Sequence, residues 1–347
     1  MRYFMGRILY SIIVLLGVVL LVFVMFQGFG DPARLVTGQT GDKKTIENIR
    51  RDLYLDQPKW KQFLYYLNDV SPVSYQTRQQ IADKKLRGLF IGSGQTIGLK
   101  VPYLRTSYQT KKDTIDVLME ALPGTLVLAL AAMLFACVAG ITLGVLAAVK
   151  KGTWIDHTAI FSSIAGISAP SFFMAIAVAY LFGVVWHDYT GLQLTGSLYE
   201  VDEITGEKYM VLKNLILPAF TLGIRPLAII VQLTRSSMLD VLGQDYIRTA
   251  YAKGLSRRAV IFKHALRNAL NPVITAITGW FAELLAGAFF IEYIFGWKGL
   301  GKVTVNALDK LDYPVVMGAV LFSACIFILV NIFADILYRI IDPRISK

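Results

Sequence analysis

Residues 245–272, DYIRTAYAKGLSRRAVIFKHALRNALNP, are the one long polar and strongly basic stretch in the second half of an otherwise apolar chain. Ile247, Ala250 and Tyr251 have the spacing of side chains on one face of a helix. Long apolar segments lie immediately before and after the stretch. The pattern predicts short helices held at a membrane surface, where they offer a contact to a partner in the water phase.

The middle of this stretch predicts a break between two helices. Gly254 is suited to end the first helix, because glycine adopts the left-handed conformation without the strain that a side chain brings. Ser256 is suited to cap the second helix. That helix is expected to end near Asn271 and Pro272, since a residue before proline disfavours the helical conformation.

The composition indicates an integral membrane protein. The 347 residues are 55% hydrophobic with a mean hydropathy of +0.54, whereas soluble domains are usually less than half apolar. The net charge of +11 is compatible with nucleic acid binding, but basic residues also set the orientation of membrane proteins. Cys137 and Cys325 lie in apolar segments, which argues against a disulfide framework. The three histidines are far apart and form no metal-binding pattern.

Six apolar segments are long enough to cross a membrane as helices. They are residues 8–26, 121–149, 158–186, 214–234, 273–295 and 315–341. A cleaved signal peptide is the alternative for the first, but its apolar run is too long and residues 27–30 are a poor cleavage site. The predicted organisation is a first transmembrane helix in 1–29, an extracytoplasmic region in 30–119, a five-helix core in 120–341 with a loop at 235–271, and a tail in 342–347.

The distribution of positive charge places both termini in the cytoplasm. With that orientation the inner face carries fourteen lysine and arginine residues, and the two short outer loops carry five. The first outer region is not counted, because long loops cross the membrane largely regardless of charge. Within this region Trp60, Phe63, Leu64 and Leu67 form an apolar stripe at helical spacing, which predicts a packing surface. Residues 68–110 carry no pattern from which a function follows.

Three residues inside the apolar segments are candidates for lining a transport pathway. Pro170 interrupts the third segment, where it predicts either a plain kink or a bend that lines a pathway. Arg225 lies about halfway along the fourth segment. An arginine at membrane depth is costly and normally faces a bundle interior or a water-filled cavity, although a structural salt bridge explains it equally well. Glu283 in the fifth segment is the third candidate.

The basic stretch resembles the cytoplasmic coupling loop of ABC importer permeases, in the variant used by their dipeptide and oligopeptide branch. Arg248, Thr249 and Ala250 stand where the family pattern has Glu-Ala-Ala, and Gly254 follows at the family spacing. The missing glutamate is a departure from that pattern. Three further segments resemble motifs of this branch and occur in the same order, namely residues 55–67, 292–301 and 337–344.

The resemblance implies an all-α polytopic membrane protein with six transmembrane helices, the type I ABC importer fold and a long first extracytoplasmic loop. It implies a permease of the bacterial cytoplasmic (inner) membrane, in the dipeptide/oligopeptide/nickel family, that carries peptides and has neither catalytic residues nor a cofactor. The implied partners are a second homologous permease in a heterodimer, two cytoplasmic ABC ATPase subunits and an extracytoplasmic peptide-binding protein. The implied ATPase-coupling residues are Asp245, Tyr246, Arg248, Thr249, Ala250, Lys253, Gly254 and Leu255. The cargo stays open between a dipeptide, a longer peptide and a nickel chelate.

Two other classes of function fit the sequence less well. A membrane-embedded enzyme needs a nucleophile with its base or a metal cluster, and Arg225, Glu283, Asn331 and Asp335 form no such constellation. A DNA-binding helix-turn-helix could hardly enter a groove while both of its ends are tethered to membrane helices. Residues 296–303 nearly match a phosphate-binding loop, but Val303 replaces the required hydroxyl and the segment is expected outside the cell.

Overall fold

The computed structural model describes residues 2–28, 47, 50, 54–202 and 204–341. The chain divides into two compact units. The first contains residues 1–121 and 303–325, and the second contains residues 122–302 and 326–347. The predicted tail at 342–347 lies outside the described residues, as does much of 30–53.

The first unit begins with helix α1 (Arg2–Gly28), followed by α2 (Lys59–Val70). Phe23 of α1 packs on Phe63 and Tyr66 of α2, with ring centroids 5.3 and 6.0 Å apart. The predicted apolar stripe is not the buried face of α2. Trp60 and Leu64 are exposed, and the helix buries Gln62, Tyr66 and Asp69 instead.

A small three-stranded sheet follows α2 in the first unit. The elements are β1 (Val73–Thr77), α3 (Arg78–Asp83), β2 (Gly88–Ile91) and β3 (Gln95–Lys100). The strand order is β1-β3-β2 with antiparallel pairing, and Leu99 lies opposite both Val73 and Leu89. These strands lie in residues 68–110 and add to the helical framework that the sequence predicts.

The described part of the second unit is helical apart from one hairpin. Helix α4 (Thr114–Val149) is followed by α5 (Trp154–Ser168), α6 (Ser171–Tyr180) with a π-helical stretch (Leu181–Val185), α7 (His187–Thr190), and the hairpin β4 (Tyr199–Val201) and β5 (Lys208–Met210). Next come α8 (Lys213–Leu242), α9 (Asp245–Ala252), α10 (Arg257–Ala259) with a π-helical stretch (Val260–Ala265), α11 (Leu266–Gly287), α12 (Phe289–Ile294), α13 (Leu300–Asp309) and α14 (Tyr313–Ile341). The boundaries between the units fall within three of these helices, α4, α13 and α14.

Four of the described helices are long and apolar enough to cross a membrane. They are Leu9–Gln27, Thr114–Val149, Lys213–Leu242 and Tyr313–Ile336. Helices α5 and α6 make a fifth span if they are taken together, with a bend of 108° between them. Helix α11 occupies the predicted fifth segment but is not among these spans. Several membrane-spanning helices are thus present, and the count of six stays a prediction.

Helices α4 and α8 approach each other closely in the second unit. A side chain at Gly140 would meet Ile230 at 2.8 Å, and one at Gly144 would meet Thr234 at 2.6 Å. Small residues at this spacing allow two membrane helices to pack with their backbones close together. Ala132 and Val273, both fully buried, extend the same contact towards α11. This packing fixes α8 and α11, the two helices that carry Arg225 and Glu283.

Candidate functional site

The basic stretch folds as the predicted helix, break and helix. Helix α9 ends before Gly254, which has a left-handed backbone with φ of +79°. A side chain at Gly254 would meet no atom within 4 Å, so the backbone conformation alone explains the glycine. Ser256 caps α10 by accepting a hydrogen bond from the backbone N–H of Ala259 at 3.4 Å.

The prediction that the second helix ends near Asn271 and Pro272 is wrong. Helix α11 continues through Pro272 to Gly287. A π-helical stretch, Val260–Ala265, joins α10 to α11. Membrane helices tolerate proline because neighbouring groups and local π-helical adjustments satisfy the backbone groups that it frees. The basic stretch therefore runs into α11 without an interruption of the helix.

The apolar face of α9 is buried in the second unit itself. Ile247 is 1% exposed and Ala250 is 6% exposed. They pack against other buried apolar side chains, namely Val145, Ala148, Met238, Val260, Ile261, Ala265 and Ala269. These two residues hold α9 against its own chain, and the assignment of Ala250 to the ATPase contact stays a prediction.

The exposed residues of α9 and of the break form a surface, which we call the coupling surface. Its members are exposed and belong to one continuous segment, namely Asp245, Tyr246, Arg248, Thr249, Tyr251, Lys253, Gly254, Leu255, Arg257 and Arg258. Tyr246 accepts a hydrogen bond from Asn268 Nδ2 at 2.9 Å, which ties the surface to α11. Arg248 and Asp245 form an ion pair at 3.5 Å with both side chains largely exposed. The surface combines aromatic and aliphatic groups with a basic rim, as protein interfaces do.

A buried ion pair fixes the helix that leads into the coupling surface. Asp156, at the start of α5, accepts hydrogen bonds from Arg235 Nε at 2.5 Å and Nη2 at 2.9 Å. It also accepts one from the backbone N–H of Gly152 at 2.9 Å. Sequence reasoning missed this pair, although both residues adjoin segments predicted on the cytoplasmic side. The pair joins α5 to α8 through two parallel charge-assisted bonds, which are directional and strong.

The candidate pathway residues come together around one cavity in the second unit. The cavity has a volume of about 120 Å³ and is partly open to the outside. Arg225 and Glu283 both line it, and Ala169 and Ser171 line it on either side of Pro170. Pro170 itself precedes α6, at the 108° break. The sequence thus indicated three separate candidates, but it did not show that they lie at or beside the same cavity.

The two charged groups at this cavity are not paired. Arg225 and Glu283 are exposed, and neither has an ion-pair partner within 4.0 Å among the described residues. The remaining walls are mostly apolar, with Met174, Trp280 and Phe290 among them. An apolar cavity with a few charged groups is the usual form of a small-molecule site.

The motif at residues 292–301 has a structural role in this unit. Glu292 is fully buried and accepts hydrogen bonds from Thr125 Oγ1 and from the backbone N–H of Gly301, both at 2.7 Å. Trp297, also fully buried, donates its indole N–H to the carbonyl of Gly124 at 2.9 Å. The side chain of Glu292 thus satisfies a free N–H group at the start of α13. The motif at residues 292–301 thus joins this part of the chain to α4.

Comparison with known proteins identifies the family. Residues 140–347 match the family described as "Binding-protein-dependent transport system inner membrane component", and residues 1–129 match its N-terminal counterpart. The dipeptide transport system permease protein DppB of Escherichia coli (strain K12) is 39% identical over 95% of this chain and 94% of its own. DppB of Alkalihalophilus pseudofirmus is 34% identical over 100% and 99%. The di/tripeptide permease DppB of Pseudomonas aeruginosa (strain UCBPP-PA14) is 37% identical over 95% and 94%. The chain belongs to the family of inner membrane components of binding-protein-dependent transport systems.

Proposed function

We propose that this chain forms the translocation pathway for dipeptides and short oligopeptides in an ATP-driven importer. As a member of its family it is a membrane transport component that works with ATPase and binding-protein partners, and it is not an enzyme. The peptide cargo is supported by relatives whose names give dipeptides and di/tripeptides as their substrates. Within the proposal, a second homologous permease completes the pathway and two ATPase subunits contact the coupling surface.

The observation that carries this proposal is the arrangement of α9. Ile247 and Ala250 hold one side of it in an apolar core, while Tyr251 near its end and Lys253 just after it are exposed. A helix that is firmly packed on one side and free on the other moves with the unit that holds it. A partner that displaces the coupling surface therefore displaces the core beneath it.

The same contacts connect the coupling surface to the cavity. Helix α8 reaches from Arg225 at the cavity to Arg235, where the ion pair with Asp156 joins it to α5. Helix α5 ends at the break that borders the cavity. Closure of an ATPase dimer on the coupling surface would shift these two helices together, and packed helices switch between discrete arrangements rather than deforming continuously. In this mechanism the binding of ATP to the cytoplasmic ATPase subunits changes the side of the membrane to which the cavity opens.

Uptake of labelled dipeptide by cells that express this chain with its cognate partners tests the proposal. We compare two glycines, Gly254 (φ +79°) and Gly206 (φ +70°). Both have a left-handed backbone, and a side chain at either would meet no atom within 4 Å. Valine at either position adds about 1 kcal/mol of backbone strain or more. We expect Gly254→Val to lower dipeptide uptake several-fold, while Gly206→Val in the β4–β5 hairpin leaves it near the wild-type rate.

The amount of inserted protein is measured in parallel for both variants. Equal uptake by Gly254→Val and Gly206→Val would show that the coupling surface has no part in transport. Uptake of a nickel chelate with no uptake of any peptide would reject the peptide cargo.

A further inference from the structure

We infer that the cavity lined by Arg225 and Glu283 is a recognition site for zwitterionic peptides. Arg225 binds the terminal carboxylate, and Glu283 binds the terminal ammonium group. The inference rests on the proposed function and assigns to one part of the pathway a defined chemistry. It explains why one cation and one anion face the same cavity.

The charges are the first support for this site. Arg225 comes from α8 and Glu283 from α11, and both side chains are exposed and line the cavity. Charged groups in membrane-spanning segments are expensive and are placed where they meet an ion, a substrate or each other. Among the described residues these two do not meet each other or another charge within 4.0 Å. Each therefore offers a free charge of the sign that one end of a peptide requires.

The lining of the cavity is the second support. The cavity has a volume of about 120 Å³ and is partly open to the outside. Trp280, Phe290 and Met174 are apolar residues that line it together with the two charged side chains. Such walls accept peptide side chains of many kinds, because flexible methionine and aromatic groups adapt to different shapes. The site is thus selective for the two charged ends and permissive for what lies between them.

The chemistry of the groups sets the expected discrimination. The planar guanidinium of Arg225 can bind a carboxylate through two parallel hydrogen bonds, which an amide in its place would not accept equally. Acetylation of the amino terminus removes the cation that Glu283 would bind. A peptide blocked at one end leaves one cavity charge unpaired, so binding weakens by about tenfold or more.

Protection of a cysteine in the cavity measures this binding directly. Ser171→Cys is placed in a chain that carries Cys137→Ala and Cys325→Ala, since Ser171 lines the cavity. The chain is purified with its ATPase subunits and without the binding protein, whose own selectivity would otherwise decide the result. Alkylation by N-ethylmaleimide is timed at increasing concentrations of alanyl-phenylalanine, its N-acetyl form and its amide.

We expect alanyl-phenylalanine to slow alkylation, and each blocked form to require about ten times the concentration or more. Arg225→Gln should remove the preference for the free carboxylate but retain the preference for the free ammonium group, and Glu283→Gln should do the reverse. Arg225→Lys should restore part of the carboxylate preference. Lys298→Gln is the matched control, because Lys298 is an exposed cation that does not line the cavity.

The outcomes separate this inference from the proposed function. Absence of protection by any peptide, equal protection by free and blocked peptides, or unchanged preferences in Arg225→Gln and Glu283→Gln would each overturn the zwitterion site. Energised uptake of dipeptide by the wild-type chain together with its second permease, its ATPase subunits and its binding protein would still stand in those cases. If uptake fails as well, the proposed function fails with it.

Discussion

The sheet domain of the first unit (residues 54–113) and the coupling segment of the second unit (residues 245–271) have opposite arrangements of polar and apolar groups. The coupling segment buries Ile247 and Ala250 and exposes its charges. The sheet domain buries Asp69, 1% exposed, and Lys100, 5% exposed, while Leu89 and Ile91 are 80% and 83% exposed. The coupling segment is held by the hydrophobic effect, whereas the sheet domain depends on buried hydrogen bonds.

Asp69 is the centre of the polar core in the sheet domain. Its carboxylate accepts hydrogen bonds from Lys84 Nζ at 2.5 Å and from Gln76 Nε2 at 3.0 Å. Its backbone carbonyl accepts hydrogen bonds from Lys100 Nζ and from the backbone N–H of Tyr103. Groups buried in this way are costly to leave without a partner. The difference between the two regions therefore predicts different responses to the loss of a charge.

The largest expected effect is that of Asp69→Ala. Removal of one partner from a buried ion pair costs about 3–5 kcal/mol, because the other charge is left without compensation. Ser74→Cys provides a probe, since Ser74 is fully buried and its hydroxyl has no hydrogen-bond partner among the described residues. With the native cysteines replaced by alanine, the urea midpoint for labelling of this cysteine should fall strongly in Asp69→Ala.

Asp245→Ala is the corresponding loss of a carboxylate in the coupling segment. Asp245 also pairs with a basic residue, but both side chains of that pair are largely exposed. Exposed ion pairs contribute little to stability, so the urea midpoint of the sheet domain should not change in this variant. Equal loss of stability in the two variants, or none in either, would contradict the contrast between a polar and an apolar core.

A smaller effect is expected from pH. Burial lowers the pKa of Lys100 to about 8, with a further contribution from the nearby Lys84 ammonium and an opposing one from Asp69. The ordinary lysine pKa is 10.5, so the folded domain binds fewer protons than the unfolded chain between about pH 8 and 10.5. Its stability should therefore rise with pH in that window and be lost again as pH falls towards 8.

The urea midpoint of the Ser74→Cys probe, measured at pH 7.5 and 9.5, gives the slope. Lys100→Met should abolish the rise, because methionine has no proton to release. Ala269 lies in the apolar cluster beneath the coupling segment, so the urea midpoint for labelling of a cysteine at this position should show no comparable change. A rise in stability that survives in Lys100→Met would assign the effect to another group.

Local rules predicted those features of the chain that depend on neighbouring residues. The left-handed Gly254, the capping Ser256 and the break at Pro170 each follow from the conformational preferences of single residues. The framework of membrane helices followed from the length of apolar segments. The position of Arg225 and Glu283 at one cavity could not be predicted in this way, because no local pattern fixes which faces of α8 and α11 meet.

The wrong predictions arose where tertiary contacts reversed a local preference. Trp60 and Leu64 have the spacing of a packing stripe but are exposed, because Asp69 on the same helix is held inward by Gln76 and Lys84. Ala250 is buried in one cluster with Met238, which lies on another helix, so the spacing of residues on α9 did not show that its own chain covers it. Hydrophobic patterning alone does not distinguish a face buried within the chain from one that a partner covers.

Association with the ATPase subunits is the most direct test of the coupling surface. The chain is co-expressed with its cognate ATPase, and the amount of ATPase that co-purifies in detergent is measured per inserted chain. The test variant is Tyr251→Asp with Lys253→Glu, both on the exposed face, and the matched control is Tyr189→Asp with Lys208→Glu, also exposed. We predict that the test variant loses about tenfold or more of the bound ATPase, since tyrosines are often the main contributors to binding energy, while the control retains it. Unchanged co-purification of the test variant at equal insertion would contradict the assignment of this surface.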